Sequence, residues 1–202
     1  MKKIALLLLL TLMPLVGFSK TISITGRVDN ISMQEAVEKV MEEHRSLPIE
    51  KPIVLALNSP GGSVYAGYFL MNQMISLQAE GRKFTAIVTG MCASMCFNIL
   101  QVADIRGSLP FATIMQHLPF GGDKQHLEAI ERVMDKLTAK RLGIHHLLWK
   151  QIARQNLWVG SDDALKMNVI DAVYIEKNLG DIMNVEESTF NVLKTRGEVS
   201  GD

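Results

Sequence analysis

Ile53-Val54-Leu55-Ala56-Leu57-Asn58-Ser59-Pro60-Gly61-Gly62-Ser63 begins as an unbroken apolar run and ends as a turn. The run has the length and composition of a strand buried on both faces, as in a parallel sheet. Asn58 to Ser63 predicts a sharp turn. A helix is expected from about Val64 to Glu80, with Gly81 able to stop it. Phe84 to Val88 is the next apolar run and completes a strand–helix–strand unit.

The same alternation extends in both directions. Thr21 to Val28 predicts a first strand, with Ile22 and Ile24 on one face. Ser32-Met33-Gln34-Glu35 has the form of a capping box, and Met33, Ala36, Val37, Val40 and Met41 continue it as a helical stripe. Gly90 to Ala93 is expected to turn the chain, and Ser94 to open another helix. Ala112 to Gln116 predicts a strand. A long amphipathic helix is expected between Asp123 and Arg141, interrupted by Gly143 and resumed from His145 to Gln155. Ser161 is placed to cap a short helix, with Asp162 and Asp163 at its positive end. Val169 to Tyr174 predicts the last strand, and periodicity weakens after about Asn184. This pattern implies an α/β fold, a mostly parallel sheet covered by helices.

The chain has 202 residues, with 21 Lys and Arg against 21 Asp and Glu. That length suits one domain. The balanced charge argues against a general nucleic-acid binder, which would present a basic face. Lys2 and Lys3 precede an apolar run from Ile4 to Phe18, and Gly17 and Ser19 put small residues at the −3 and −1 positions of a cleavage site. This is the layout of a secretory signal peptide. The expected division is a signal peptide at 1–19, one domain at 20–184, and a mobile tail at 185–202. The expected destination is the periplasm or the medium, with membrane attachment only if the leader is retained. Export allows disulfides. Cys92 and Cys96, the only cysteines, are expected to be small apolar packers; a disulfide around Ser94 is the competing reading. His145 and His146 lack partners at metal-ligand spacing, and no metal site is expected.

Three short segments could carry chemistry. Pro60-Gly61-Gly62 follows a buried strand, where glycines let backbone N–H groups point outward and stabilise an oxyanion. Ser94 lies at a strand-to-helix turn, near the positive end of a helix. A plain helix cap is the bland reading of that serine. His117 follows an apolar strand, and alone it reads as an ordinary loop histidine.

Their order is more telling. Asn58-Ser59-Pro60-Gly61-Gly62-Ser63 with Ala66-Gly67 resembles the signature turn of the Clp protease proteolytic subunit family. Gly90-x-x-Ala93-Ser94-Met95 resembles that family's nucleophile segment. Met115-Gln116-His117-Leu118-Pro119-Phe120-Gly121-Gly122 resembles its histidine segment. The similarity runs from about Ile22 to Tyr174. It implies a ClpP/crotonase-like fold with a projecting handle helix, and a serine peptidase without metal or other cofactor. It also implies Ser94 as nucleophile, His117 as base, and an oxyanion hole from the backbone N–H groups of Gly62 and Met95. Aligning Met167-Asn168-Val169-Ile170-Asp171 puts Asn156 where the family has the third, aspartate member of the triad. Asparagine can orient an imidazole but cannot neutralise imidazolium.

Expected partners are a peptide or unfolded protein substrate and further copies of the chain, since the handle helix has a broader apolar stripe than a surface helix needs. The family works with a cytosolic ATPase. An exported chain cannot reach it, and the chain has no GxxxxGK[ST] pattern, so ATP-independent cleavage is expected. Three other readings share the fold: a noncatalytic binding or assembly protein, a serine–lysine enzyme using Lys136 or Lys140, and an acyl-CoA enzyme.

Overall fold

The computed structural model describes residues 20–176 and 190–195. The signal-peptide segment at 1–19 lies outside the described residues. Eight strands and six helices are seen among those described. In chain order they are β1 Thr21–Val28, α1 Asn30–Ser46, β2 Ile53–Gly62, α2 Val64–Ala79, β3 Phe84–Ala93, α3 Met95–Val102 and β4 Ile105–Ser108. There follow β5 Thr113–Gln116, α4 Lys124–Leu142, α5 His146–Ala153, β6 Leu157–Gly160, α6 Ser161–Lys166, β7 Ala172–Glu176 and β8 Phe190–Thr195. The main sheet has the order β1-β2-β3-β4-β7-β8. All its neighbours are parallel except β7 and β8. The expected mostly parallel α/β fold is what forms.

The core explains the sheet. Ile53, Leu55 and Leu57 of β2 are completely buried, each stabilising the fold by about 2 kcal/mol. They pack with Leu70, Met74 and Leu77 of α2 and with Phe97 and Leu100 of α3 in one core cluster. Phe97 also stacks on Trp149 of α5, ring centroids 5.5 Å apart.

Several local expectations need correction. β2 does not turn at Asn58 but runs on to Gly62, and β3 likewise runs on to Ala93. The reason is a side chain acting as backbone. Asn58 Oδ1 accepts from the Met91 N–H at 3.1 Å, in the stretch where the β2–β3 register shifts between Leu57 and Ser59. Gly90 makes the room, since a Cβ there would lie 2.7 Å from Asn58 Oδ1. Helix α1 begins earlier than expected. Asp29 caps it by accepting from the Ser32 N–H, while Ser32 Oγ accepts from the Asp29 N–H. The box is therefore Asp29–Ser32 rather than Ser32–Glu35. Ser161 is the first residue of α6, not its cap. Its hydroxyl donates to the Leu109 carbonyl at 2.6 Å instead. Phe190–Thr195 forms β8, antiparallel to β7, where weak periodicity had predicted no strand. On α4, Ile130, Met134, Ala139 and Leu142 are buried, so much of its apolar stripe is used within the subunit, while Val133 remains exposed.

Cys92 and Cys96 form a disulfide, with Cα atoms 5.1 Å apart, which overturns the expectation of free apolar packers. The corner at Ser94, between the end of β3 and the start of α3, brings the two residues into bridging range. The bond ties the end of β3 to the first turn of α3 across Ser94.

Two buried arginines brace the scaffold. Arg82 donates to the carbonyls of His44, Leu47, Pro48 and Lys51, joining the end of α1 to the loop before β2. Arg106 of β4 makes a two-pronged pair with Asp171 at 2.7 and 3.0 Å and also donates to Gln101. Removing the Asp171 carboxylate leaves a buried guanidinium without its counter-charge. Asp171→Ala is expected to destabilise the protein by roughly 2–4 kcal/mol, read as a shifted midpoint in urea unfolding. Non-reduced protein, denatured and treated with alkylating agent, should remain unlabelled at Cys92 and Cys96 and acquire two adducts only after reduction. Labelling without reductant would show the bridge to be absent.

Candidate active site

β3 carries two ladders. Its first half, Thr85 to Val88, pairs with β4, and its second half, Met91 to Ala93, pairs with β5. The parallel β3–β5 register sets Ala93 beside Met115, and the Ser94 N–H extends it by donating to the Met115 carbonyl at 2.9 Å. Ser94 directly follows β3 and His117 directly follows β5. The pairing thus carries both residues to the same edge of the sheet.

Ser94 has φ 58° and ψ −117°. Such a backbone is strained for a residue with a Cβ, by about 1–3 kcal/mol. Its hydroxyl makes no capping hydrogen bond to α3, so the plain helix-cap reading does not hold. Three contacts fix the turn besides the disulfide. The Ser94 N–H is bound to Met115, the Ser94 carbonyl accepts from Asn98 Nδ2 at 3.2 Å, and Gly61 lies directly against it. A Cβ on Gly61 would come within 2.4 Å of the Ala93 carbonyl oxygen and 2.8 Å of Ser94 Cβ.

A groove of about 580 Å³ passes over this turn, with Ser94, His117, Gly61, Gly62, Met115 and Phe120 among its walls. Met95, the other expected oxyanion donor, is the first residue of α3, and its N–H is one of the helix's opening donors. Gly62 stands opposite Val28 at the end of β2, and a Cβ there would lie 2.2 Å from the Val28 carbonyl oxygen. At the rim, Tyr65 Oη and His126 Nε2 are 2.6 Å apart.

His117 Nδ1 lies 2.6 Å from the Leu118 carbonyl oxygen, and its ring tilts against Phe120. A carbonyl can only accept, so Nδ1 carries the proton in this contact, and Nε2 is left as the basic nitrogen. His117 and Ser94 share the groove without a hydrogen bond between them. Catalytic contacts are often loose before substrate binds. Asn156 is not brought into the groove. The β5–β6 ladder ends at Gln116 opposite Leu157, so Asn156 sits one step beyond, level with His117. It has φ 53° and lines a separate recess with Gln151, Gln155 and Trp158. The acceptor on His117 Nδ1 is Leu118, not Asn156.

Sequence reasoning missed the layer beneath. Asn98, Gln116, Glu131 and Asp135 line a small cavity that also reaches Ser94 and His117. Asp135 is buried. Burial, and then the neighbouring Glu131 carboxylate, hold its carboxyl above the usual carboxylate range, against the pull of Lys150, His146 and Arg154. The signal available was spacing: Asn98 lies one helical turn after Ser94, and Glu131 and Asp135 lie one turn apart on α4.

The Clp protease family matches residues 15–176 of the chain. The ATP-dependent Clp protease proteolytic subunit of Porphyromonas gingivalis is 31% identical over 141 residues, 63% of this chain and 61% of that protein. A subunit of the same name from Bacteroides fragilis is 30% identical over 141 residues, covering 63% of this chain and 66% of its own length. The ATP-dependent Clp protease proteolytic subunit 1 of Chlamydia trachomatis is 27% identical over 175 residues, 79% of this chain and 88% of that protein. The chain thus spans just under two thirds of the first two of these relatives. The family match covers β1 through β7 and both segments that border the groove, and on that ground the chain belongs to the Clp protease family.

Proposed function

We propose that this chain is an exported serine endopeptidase that cleaves peptides or flexible protein segments without ATP. The observation that carries this reading is Ser94 itself. A serine is held in a strained backbone at a strand-to-helix turn, its hydroxyl is not used as a cap, and a histidine with a free basic nitrogen shares its groove.

In this reading an extended peptide lies along the groove. His117 Nε2 takes the Ser94 hydroxyl proton as Ser94 Oγ attacks the scissile carbonyl carbon. Negative charge develops on the former carbonyl oxygen and is met by the N–H groups of Met95 and Gly62, with the positive end of α3 behind them. The tetrahedral intermediate collapses, the C–N bond breaks, and imidazolium returns the proton to the leaving amine. Water then repeats the sequence on the acyl-enzyme and frees Ser94. The Leu118 carbonyl holds the Nδ1–H and so keeps Nε2 basic. Being neutral, it stabilises imidazolium less than a carboxylate would, and modest turnover is expected.

Export rests on the Lys2-Lys3 start and the apolar run that follows. Independence from ATP rests on export and on the chain having no phosphate-binding loop of its own. Assembly into a homo-oligomer is supported by family membership and by the exposed Val133 on α4.

A fluorophosphonate probe should label Ser94, located by mass spectrometry, and Ser94→Ala should abolish both labelling and peptide cleavage. His117→Ala should lower turnover by about two to four orders of magnitude. Failure of the probe under both reducing and oxidising conditions would favour a noncatalytic binding role. Asn156→Ala should change kcat/KM by less than about tenfold, because Leu118 already occupies Nδ1; a loss as large as that of His117→Ala would restore Asn156 to the triad.

A further inference from the structure

Helix α1 carries a carboxylate with an unusual partner. Glu43 lies in its last turn and is only 5% exposed. It forms no ion pair with a side chain among the described residues. Arg82 is near enough to feel its charge, but the Arg82 side chain is committed to four carbonyls and to His44 Nδ1. The bond seen at the Glu43 side chain comes from the main chain: the Lys20 N–H donates to Oε2 at 3.1 Å. A buried carboxylate facing one neutral amide is poorly compensated.

Lys20 is also the residue that follows the small-residue pattern of Gly17 and Ser19. The two observations are independent, and they fall on one nitrogen. Hydrolysis between Ser19 and Lys20 breaks the C–N bond. Water gives its OH to the Ser19 carbonyl carbon and a proton to the Lys20 nitrogen. The new Ser19 carboxyl then ionises, and the new Lys20 amine is largely protonated at neutral pH. A neutral group with one N–H thereby becomes an ammonium with three, in the same place. The end of α1 is the negative end of its dipole and favours a cation there. Register matters as well. Lys20 directly precedes β1, where each residue advances the chain by about 3.3 Å. A chain starting one residue earlier or later would carry its amine out of hydrogen-bond reach of Glu43.

We propose that Glu43 is the docking site for the N-terminal ammonium created when a leader peptidase cuts between Ser19 and Lys20. This inference rests on the export reading and not on the chemistry of Ser94. The ion pair pins the start of β1, which lies at one edge of the main sheet and whose other end stands against Gly62. Maturation thus tightens a strand that the uncut chain holds at its start by a neutral bond.

The test starts from the full-length chain, produced in a host that exports it, and from the intact mass of the purified protein. A start at Lys20 is expected. The folded protein is then treated with an amine-acetylating reagent, and modification of the Lys20 α-amine is followed by peptide mass, with the exposed Lys20 side-chain amine as internal reference. The α-amine should react more slowly than in Glu43→Gln, on the order of tenfold, and more slowly by a similar factor than in the same chain unfolded in urea. If the variant does not fold, the comparison with unfolded chain decides alone. The side-chain amine should react alike in wild type and variant. Equal α-amine rates in wild type and Glu43→Gln, or in folded and unfolded chain, overturn the docking site, while a start at Lys20 leaves export standing. A mature start at any other residue also overturns it, and a retained leader overturns the export reading with it. Probe labelling of Ser94 on the same sample reports on the peptidase reading separately.

Discussion

Everything about the groove depends on β3 pairing with two different strands along its length. A strand with a single neighbour on that side would deliver its last residue to a sheet edge with nothing beside it. Here the first half of β3 holds β4 and the second half holds β5, so the sheet forks near Thr89. The fork lets β5 stop level with the end of β3, and the bond from the Ser94 N–H to the Met115 carbonyl closes it. His117 comes to the same groove as Ser94 because of that register. No long-range electrostatic attraction is needed to bring the two residues together.

The fork in turn needs β2 and β3 to continue past their apolar runs. Leu57 and Val88 end the continuous apolar runs of β2 and β3. Beyond them the chain relies on polar substitution, with Asn58 standing in for a backbone acceptor and Gly90 yielding the space for it. The site is thus built where hydrophobic patterning ends and specific hydrogen bonding takes over. A scaffold of this kind is stiff. Ser94 is held from both sides by bonds to its N–H and carbonyl, from below by packing, and along the chain by the disulfide. Such over-determination is what a strained backbone requires to persist.

This boundary also explains what could be read from residues alone. The apolar runs of β2 and β3 and the stripes of the major helices follow from periodicity, and the fold class follows from them. Ser94, His117 and the Gly61–Gly62 pair were legible as ordered segments resembling a family, because their spacing is set by the β3–β5 and β2–β3 pairings. The strand extensions were not legible, since Asn58 and Gly90 look like turn residues until their pairing is known. Asp29 and Ser32 escaped for a similar reason: both are good caps, and only the start of α1 decides which one acts. Asn98, Gln116 and Asp135 are single polar residues in mixed segments, with nothing in the sequence to separate a buried acceptor from a solvated one. The orienting acceptor of His117 is a main-chain carbonyl, which no choice of side chain at position 118 announces. Cys92 and Cys96 were visible as a pair, but bridging depends on Ser94 being at a strand-to-helix corner rather than within a continuous helix.

The missing side chain of Gly61 sets a tolerance. The end of β2 rests directly on the backbone that carries Ser94, with no compressible side chain between them. Gly62, one residue on, is part of the same strand end. The gap between the Ser94 turn and the end of β2 is therefore gauged by backbone touching backbone, and neither part can be moved without carrying the other. A protein built this way can change the cavity walls on α3, β5 and α4 while the spacing between Ser94 and the Gly61–Gly62 strand end remains fixed.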